Sequence, residues 1–351
     1  MSFQEEKRES IKRYMLEKIR SDDTEYLQKT VENFGISVTT VKRYIRDCME
    51  DGILQEKKDR KTGYTLGVSE KEFHYSCGEA LSEDRIFYTD ILPFLKDLSD
   101  ESQRIWGYVF TEIMNNAIEH ARGEVIGCHI KKDSLYTEVS IIDDGIGIFR
   151  NIKEHLSERT GQRATTEDAI LELYKGKFTS DSSCHSGEGI FFSSRMMREF
   201  VIWSDSAIYS FGCGDRQQLA ESHLIAYYTR LMKIGTMVVM KLENQTKRKA
   251  KEVFDMYATV DEGFVQTMIP VKEVCQYGEP IARSQARRIL YRLEQFRKVE
   301  FDFDGVEFMG QGFADEVFRV FQNQYPDMEL VPVNANDTVL GMVKHVRAGK
   351  C

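Results

Sequence analysis

The sequence predicts an α+β chain of several domains, and three observations carry that reading. Its 351 residues exceed the usual size of one domain, so two or three separate cores are expected. Residues 1–68 read as helices followed by a short hairpin, and the last hundred or so residues alternate strands with helices. Between them, a helix with apolar residues at every fourth position precedes a strand that runs straight into closely spaced glycines.

Composition narrows the class. Hydrophobic residues make up 41% and charged residues 30%, the balance of a folded protein rather than a disordered one. No apolar run approaches the ~20 residues that span a bilayer, so no membrane partner is expected. The charged start, Met1 to Arg13, does not read as a signal peptide, and a cytoplasmic location is expected. Seven cysteines lie without a Cys-x-x-Cys pair, which points to reduced thiols and away from zinc. Cys184 and His185 are adjacent, yet no further ligands lie near them in sequence.

In chain order, Glu6 to Ile19 forms an amphipathic helix with Ile11, Met15 and Ile19 on one face. A second helix runs from about Thr24 to Asn33, capped by Asp23 or Thr24. Phe34-Gly35-Ile36-Ser37 is a tight turn whose serine caps a third helix, Val38 to Asp51. That helix buries Val41, Ile45 and Cys48 and turns Thr39, Thr40, Lys42, Arg43 and Arg46 outward. Two short strands, 53–56 and 64–66, flank a basic hairpin carrying Lys57, Lys58, Arg60 and Lys61. Residues 1–68 therefore resemble a winged helix-turn-helix, in which the third helix enters the major groove and the wing touches phosphates. Residues 36–68 hold seven basic against five acidic side chains, a local excess in a chain of net charge −9. DNA is thus an expected partner, although such a module can also dock proteins.

Residues 69–84, of mixed polarity, read as a linker. A helix interrupted near Pro93 spans Ile86 to Leu98, and Ile105 to Ala121 is the helix of the central domain. On it Ile113, Ala117 and Ala121 mark the core face, while Glu112 and Asn116 lie one turn apart on an adjoining face. A carboxylate and an amide so placed can activate a water and ligate magnesium. The strand Glu138 to Ile142 then enters Asp143-Asp144-Gly145-Ile146-Gly147-Ile148, and Ser186-Gly187-Glu188-Gly189-Ile190 opens a later helix whose N–H groups can meet phosphate.

These three stretches, in this order, resemble the N, G1 and G2 boxes of the GHKL ATP-binding superfamily, over roughly Glu83 to Glu243. The resemblance implies a GHKL α/β sandwich, the Bergerat-type ATP fold, at residues 85–247, with ATP and Mg2+ as cofactors. It implies that Asn116 ligates magnesium beside Asn115, that Asp143 accepts the adenine amino group, and that Gly145, Gly147 and Ile148 line the base. Gly187, Glu188, Gly189 and Ile190 would cradle the phosphates, and Glu112 would take the place of the water-activating or proton-accepting glutamate. Phe149 to His185 would be a mobile lid with a helix from Thr165 to Tyr174, and Lys175, Lys177 and Thr179 offer cationic and hydroxyl groups toward a terminal phosphate.

Strands are expected at Val201 to Ser204, Ala207 to Phe211 and Thr236 to Leu242, the last preceded by Gly235-Thr236, with a domain boundary in the polar stretch Asn244 to Ala250. Residues 248–351 then alternate: strand 264–269, helix 284–296, strand 299–303, helix 313–322, strand 329–333 and helix 338–346. The segment Val299 to Phe313 resembles the strand-to-helix loop of STAS domains, in which anti-sigma-factor antagonists carry a phosphorylated serine. Here the loop reads Met309-Gly310-Gln311-Gly312 and lacks a hydroxyl, which leaves a STAS-like α/β interaction domain with a protein partner. Arg283, Arg287, Arg288 and Arg292 are expected partly on a solvated helix face.

Two functions follow from the combination. One is a nucleotide-dependent DNA-binding regulator, in which lid closure over ATP changes the contacts of the winged helix and the STAS-like domain and slow hydrolysis resets the switch. The other is a serine/threonine kinase of the anti-sigma type acting on a separate protein. A homodimer is expected, because winged helices commonly occupy two-fold sites.

Overall fold

The computed structural model describes residues 3–78, 81–178, 187–205, 207–212, 234–259, 261–275 and 279–348. At the N-terminus, apolar periodicity produces α1 (Phe3–Arg20), α2 (Tyr26–Phe34) and α3 (Val38–Glu50). Gly35 ends α2 at φ 62°, and the Ser37 hydroxyl accepts from the Thr40 N–H at 3.1 Å to start α3. The N-cap of α2 is Glu25, which makes no side-chain cap; Asp23 instead accepts from the Glu25 N–H at 3.0 Å. Ile11, Met15 and Ile19 share one apolar cluster with Val41, Ile45 and Cys48. The hairpin β1 (Leu54–Glu56) and β2 (Tyr64–Leu66) closes it, with Leu54 paired opposite Leu66.

A six-stranded antiparallel sheet forms the middle of the chain. It comprises β3 (Ser69–Ser76), β4 (Val125–Lys132), β5 (Tyr136–Asp143), β6 (Glu199–Ser204), β7 (Ala207–Phe211) and β8 (Thr236–Glu243), in the order β3-β4-β5-β8-β6-β7. Residues 69–76 are therefore the edge strand of this sheet, and the expected linker over 69–84 is corrected. Phe73 and Tyr75 are the partly buried positions of β3 and the residues around them are mostly exposed, so an edge strand with one half-covered face reads as mixed polarity. Strand β4 is an addition to the strands expected from the sequence.

Helices cover one face of the sheet: α4 (Glu83–Ile86), a π-helical turn at Phe87–Ile91, α5 (Leu92–Leu95), α6 (Asp100–Glu119), α7 (Ile148–Thr160), α8 (Thr166–Lys175), α9 (Gly189–Met196) and α10 (Ala250–Tyr257). Trp106, Phe110 and Ile113 of α6 join Ile130, Val139 and Ile141 of the sheet in one core. Residues 148–175, expected within a mobile lid, are two packed helices: Phe149, Ile152, Leu171 and Leu173 are core residues, and Thr165 with Asp168 makes a reciprocal capping box. Thr179, Cys184 and His185 lie outside the described residues.

The polar stretch 244–250, expected as a domain boundary, is held against the sheet and its helices at both ends. Asn244 is buried and accepts from Thr137 Oγ1 at 2.8 Å, and Phe254 of α10 packs its ring on Phe192 and Tyr108. Beyond it come β9 (Ala258–Thr259), β10 (Gly263–Phe264), β11 (Gln266–Pro270), α11 (Val271–Val274), α12 (Arg283–Leu290), β12 (Lys298–Asp302), α13 (Gln311–Asp315), α14 (Gln322–Gln324), β13 (Glu329–Val333) and α15 (Asp337–Ala348). Strands β11, β12 and β13 form a parallel sheet with β12 central, as the strand-helix alternation requires. Helix α12 stops six residues short of the expected Phe296, and Arg292 then adopts φ 64°.

Candidate functional site

A cavity of about 300 Å³ opens between α6, α7, the starts of β8 and α9, and the end of β5. Helical spacing delivers Glu112, Asn116 and His120 to its wall from successive turns of α6, with Asn115 beside them. Ile113, Ala117 and Ala121 are 2, 5 and 8% exposed, so the apolar stripe of α6 anchors the helix while the adjoining polar stripe borders the cavity.

Asp143 ends β5 inside this cavity. Its Oδ1 accepts from the Gly145 N–H at 2.9 Å and the Thr236 N–H at 3.2 Å. Burial nevertheless dominates and pushes its carboxyl up to about 6. Thr236 completes the arrangement, its Oγ1 accepting from the Ile148 N–H at 3.0 Å. The glycines divide by role. A Cβ at Gly145 would overlap the Ala121 carbonyl, and one at Gly235 would overlap the Asp143 carboxylate, so both serve close packing around Asp143. Gly147, at φ 89°, and Ile148 line the cavity, whereas Gly145 stands behind it. On the far side Gly187, Gly189 and Ile190 line the cavity, while Glu188 supplies the N-cap position of α9.

Thr236, Asn151 and Phe178, outside the residues expected at the site, also line the cavity. Gly235-Thr236 at the head of a strand was a legible signal for the first. Asn151 has none, because it sits one turn into α7, within the stretch 149–185 expected as lid. Its amide oxygen is buried without a hydrogen-bond partner among the described residues.

Lys177 is placed away from its expected role. Its ammonium donates to the Gln295 carbonyl at 3.2 Å and lies 4.6 Å from the centroid of the Phe296 ring and 5.5 Å from that of Phe264. Burial pushes its pKa down, opposed by the Glu188 carboxylate. Lys175, neither a surface lysine nor a cavity residue, is 1% exposed and donates to Glu172 and to the Tyr291 carbonyl, each at 2.7 Å.

On the N-terminal unit, Thr39, Lys42, Arg43 and Arg46 are exposed on α3, and Thr40 is half-buried with its hydroxyl 3.0 Å from that of Ser37. Lys57, Lys58 and Lys61 are exposed on the hairpin. Arg60 is not available with them: it donates to the carbonyls of Ile19 and Arg20 at 3.1 and 2.7 Å, closing the C-terminus of α1. Of the arginines of the last domain, Arg283 and Arg287 lie on an exposed helix face as expected, and all four are also engaged by partners. Arg283 and Arg287 meet Glu316, Arg292 meets Glu172 at 3.0 Å, and Arg288 donates to the Val274 carbonyl.

Residues 285–340 match the family model of the STAS-like domain of unknown function, DUF4325. The C-terminal part of the chain is thus a STAS-like domain. No curated protein shows significant similarity to the chain.

Proposed function

We propose that the chain binds ATP with magnesium in this cavity as a GHKL-type ATPase, and that its nucleotide state governs how an N-terminal winged helix-turn-helix meets DNA. The observation that carries the reading is the convergence of four stretches distant in sequence: Glu112 with Asn116, Asp143, Gly187 with Gly189, and Thr236 all line one cavity. In this reading Asp143 accepts the adenine amino group, Asn116 offers its amide oxygen to magnesium, and the N–H groups at the start of α9 meet phosphate.

The donor set fits both ligands. Among the described residues no group of three His, Cys, Asp or Glu side chains is placed to hold a metal. A magnesium ion that keeps its waters and shares phosphate oxygens with a single amide needs no such cage. The Asn151 oxygen, buried without a hydrogen-bond partner among the described residues, supports a ligand that donates hydrogen bonds at this wall. Bound magnesium would neutralise phosphate charge, and Glu112 would orient the attacking water. Coupling to the N-terminus is supported by β5, which carries Asp143 at one end and Tyr136 at the other. Tyr136 donates to Glu17 of α1 at 3.2 Å and packs beneath the Arg20 guanidinium.

The test is incubation with magnesium and γ-labelled ATP, following free phosphate and protein-bound label together, beside Asn116→Ala. Free phosphate without protein label, lost in the variant, is expected. Label on a protein hydroxyl would favour the kinase reading, and absence of nucleotide binding would refute both.

A further inference from the structure

The segment 172–178 has two faces. Leu173 and Phe178 line the cavity, whereas Glu172, Lys175 and Lys177 turn to the STAS-like side of the chain. There, residues 291–295 clasp it. Glu172 is buried between Lys175 at 2.7 Å and Arg292 at 3.0 Å; the Tyr291 carbonyl accepts from Lys175, and the Gln295 carbonyl accepts from Lys177. Thr267 of β11 adds a bond to the Lys175 carbonyl at 3.0 Å. Gly176, at φ 87° and with Phe191 where a Cβ would stand, fixes the backbone between the two lysines. A wall of the cavity and the seat of the STAS-like domain are therefore the same seven residues.

Lys177 is the weakly held member. Lys175 is paired with a carboxylate at 2.7 Å, whereas Lys177 donates to a neutral carbonyl and lies over two aromatic faces, with the Glu188 carboxylate acting on it through its charge and not through a hydrogen bond among the described residues. A cation held in that way exchanges readily for a phosphate, which offers a full opposite charge.

Resting on the reading of the cavity as a nucleotide site, we propose that the STAS-like domain is an intramolecular brake on it. The clasp at Arg292 and Gln295 holds Lys177 out of the cavity, and nucleotide phosphates compete with the docked domain for that ammonium. Occupancy of the cavity and docking of residues 291–296 are then reciprocally linked.

The experiment uses the full chain and a fluorescent ATP analogue with magnesium. Arg292→Ala, which loosens the clasp, is expected to bind about fivefold more tightly than wild type, and adding Lys177→Ala is expected to abolish that gain. A second readout needs no variant: nucleotide is expected to raise hydrogen exchange of the amides at 291–296 in the wild-type chain. Unchanged or weaker binding by Arg292→Ala, a gain that survives Lys177→Ala, or exchange that does not rise would each overturn the brake while leaving the nucleotide site standing. No binding by the wild-type chain would overturn both.

Discussion

Gly189 and Glu112 share the same small volume at the cavity wall: a methyl group on the Gly189 Cα would overlap Glu112 Oε2. The collision falls on the far end of a flexible side chain, so Gly189→Ala should fold and displace the carboxylate. Phosphate release is expected to fall on the order of 100-fold, with nucleotide affinity changed far less, because a general base acts on the water rather than on the bound base. Turnover that survives the substitution would remove Glu112 from the catalytic role.

Asp143 offers a pH test. Its folded carboxyl is raised from 3.8 to about 6, so the contribution of the neutral form to stability is full below about 4 and is lost as pH rises through about 6. The shift corresponds to about 3 kcal/mol. Asp143→Asn mimics the neutral form and can still accept from Gly145 and Thr236. It is therefore expected to melt higher than wild type above pH 6, with the difference closing toward pH 4, and to lose nucleotide affinity. A melting difference independent of pH would contradict the assignment.

The Glu172 cluster predicts an asymmetry. Glu172→Gln leaves two cations facing each other in a buried site, at a cost of about 3–5 kcal/mol. Lys175→Met should cost less, because Arg292 still neutralises Glu172. Chemical denaturation of the two variants tests the order, and equal losses would show that the cluster carries little charge interaction.

Arg60 and its basic neighbours should separate stability from DNA affinity. Arg60→Ala removes two bonds to the end of α1, and a loss of about 1–2 kcal/mol in unfolding free energy is expected. Lys42→Ala and Arg46→Ala should leave stability within about 0.5 kcal/mol but weaken binding to duplex DNA and flatten its salt dependence. If these two variants bound DNA like wild type, α3 would not be the contacting helix.

Much of the site was legible in the sequence, because its backbone supports are local. The i, i+4 spacing of Glu112 and Asn116 follows from helix geometry, and the glycines at 145, 147, 187 and 189 stand where close approach leaves no room for a Cβ or where φ is positive. Local periodicity likewise gave α1 to α3 and the strand-helix alternation of the last hundred residues. What failed were judgements of environment. A half-covered edge strand reads as a linker, because β3 gains its pairing from β4, whose Val125–Lys132 lie far along the chain from Ser69–Ser76. The destinations of Lys175, Lys177, Arg60 and Arg292 could not be read either, since a long charged side chain pairs with whatever the fold brings within reach. Tertiary structure chose a helix end for Arg60 and put Lys177 on the STAS-like side of the chain, away from the cavity. The sequence by itself determined which residues could do chemistry; the packing of distant segments decided which of them border the cavity.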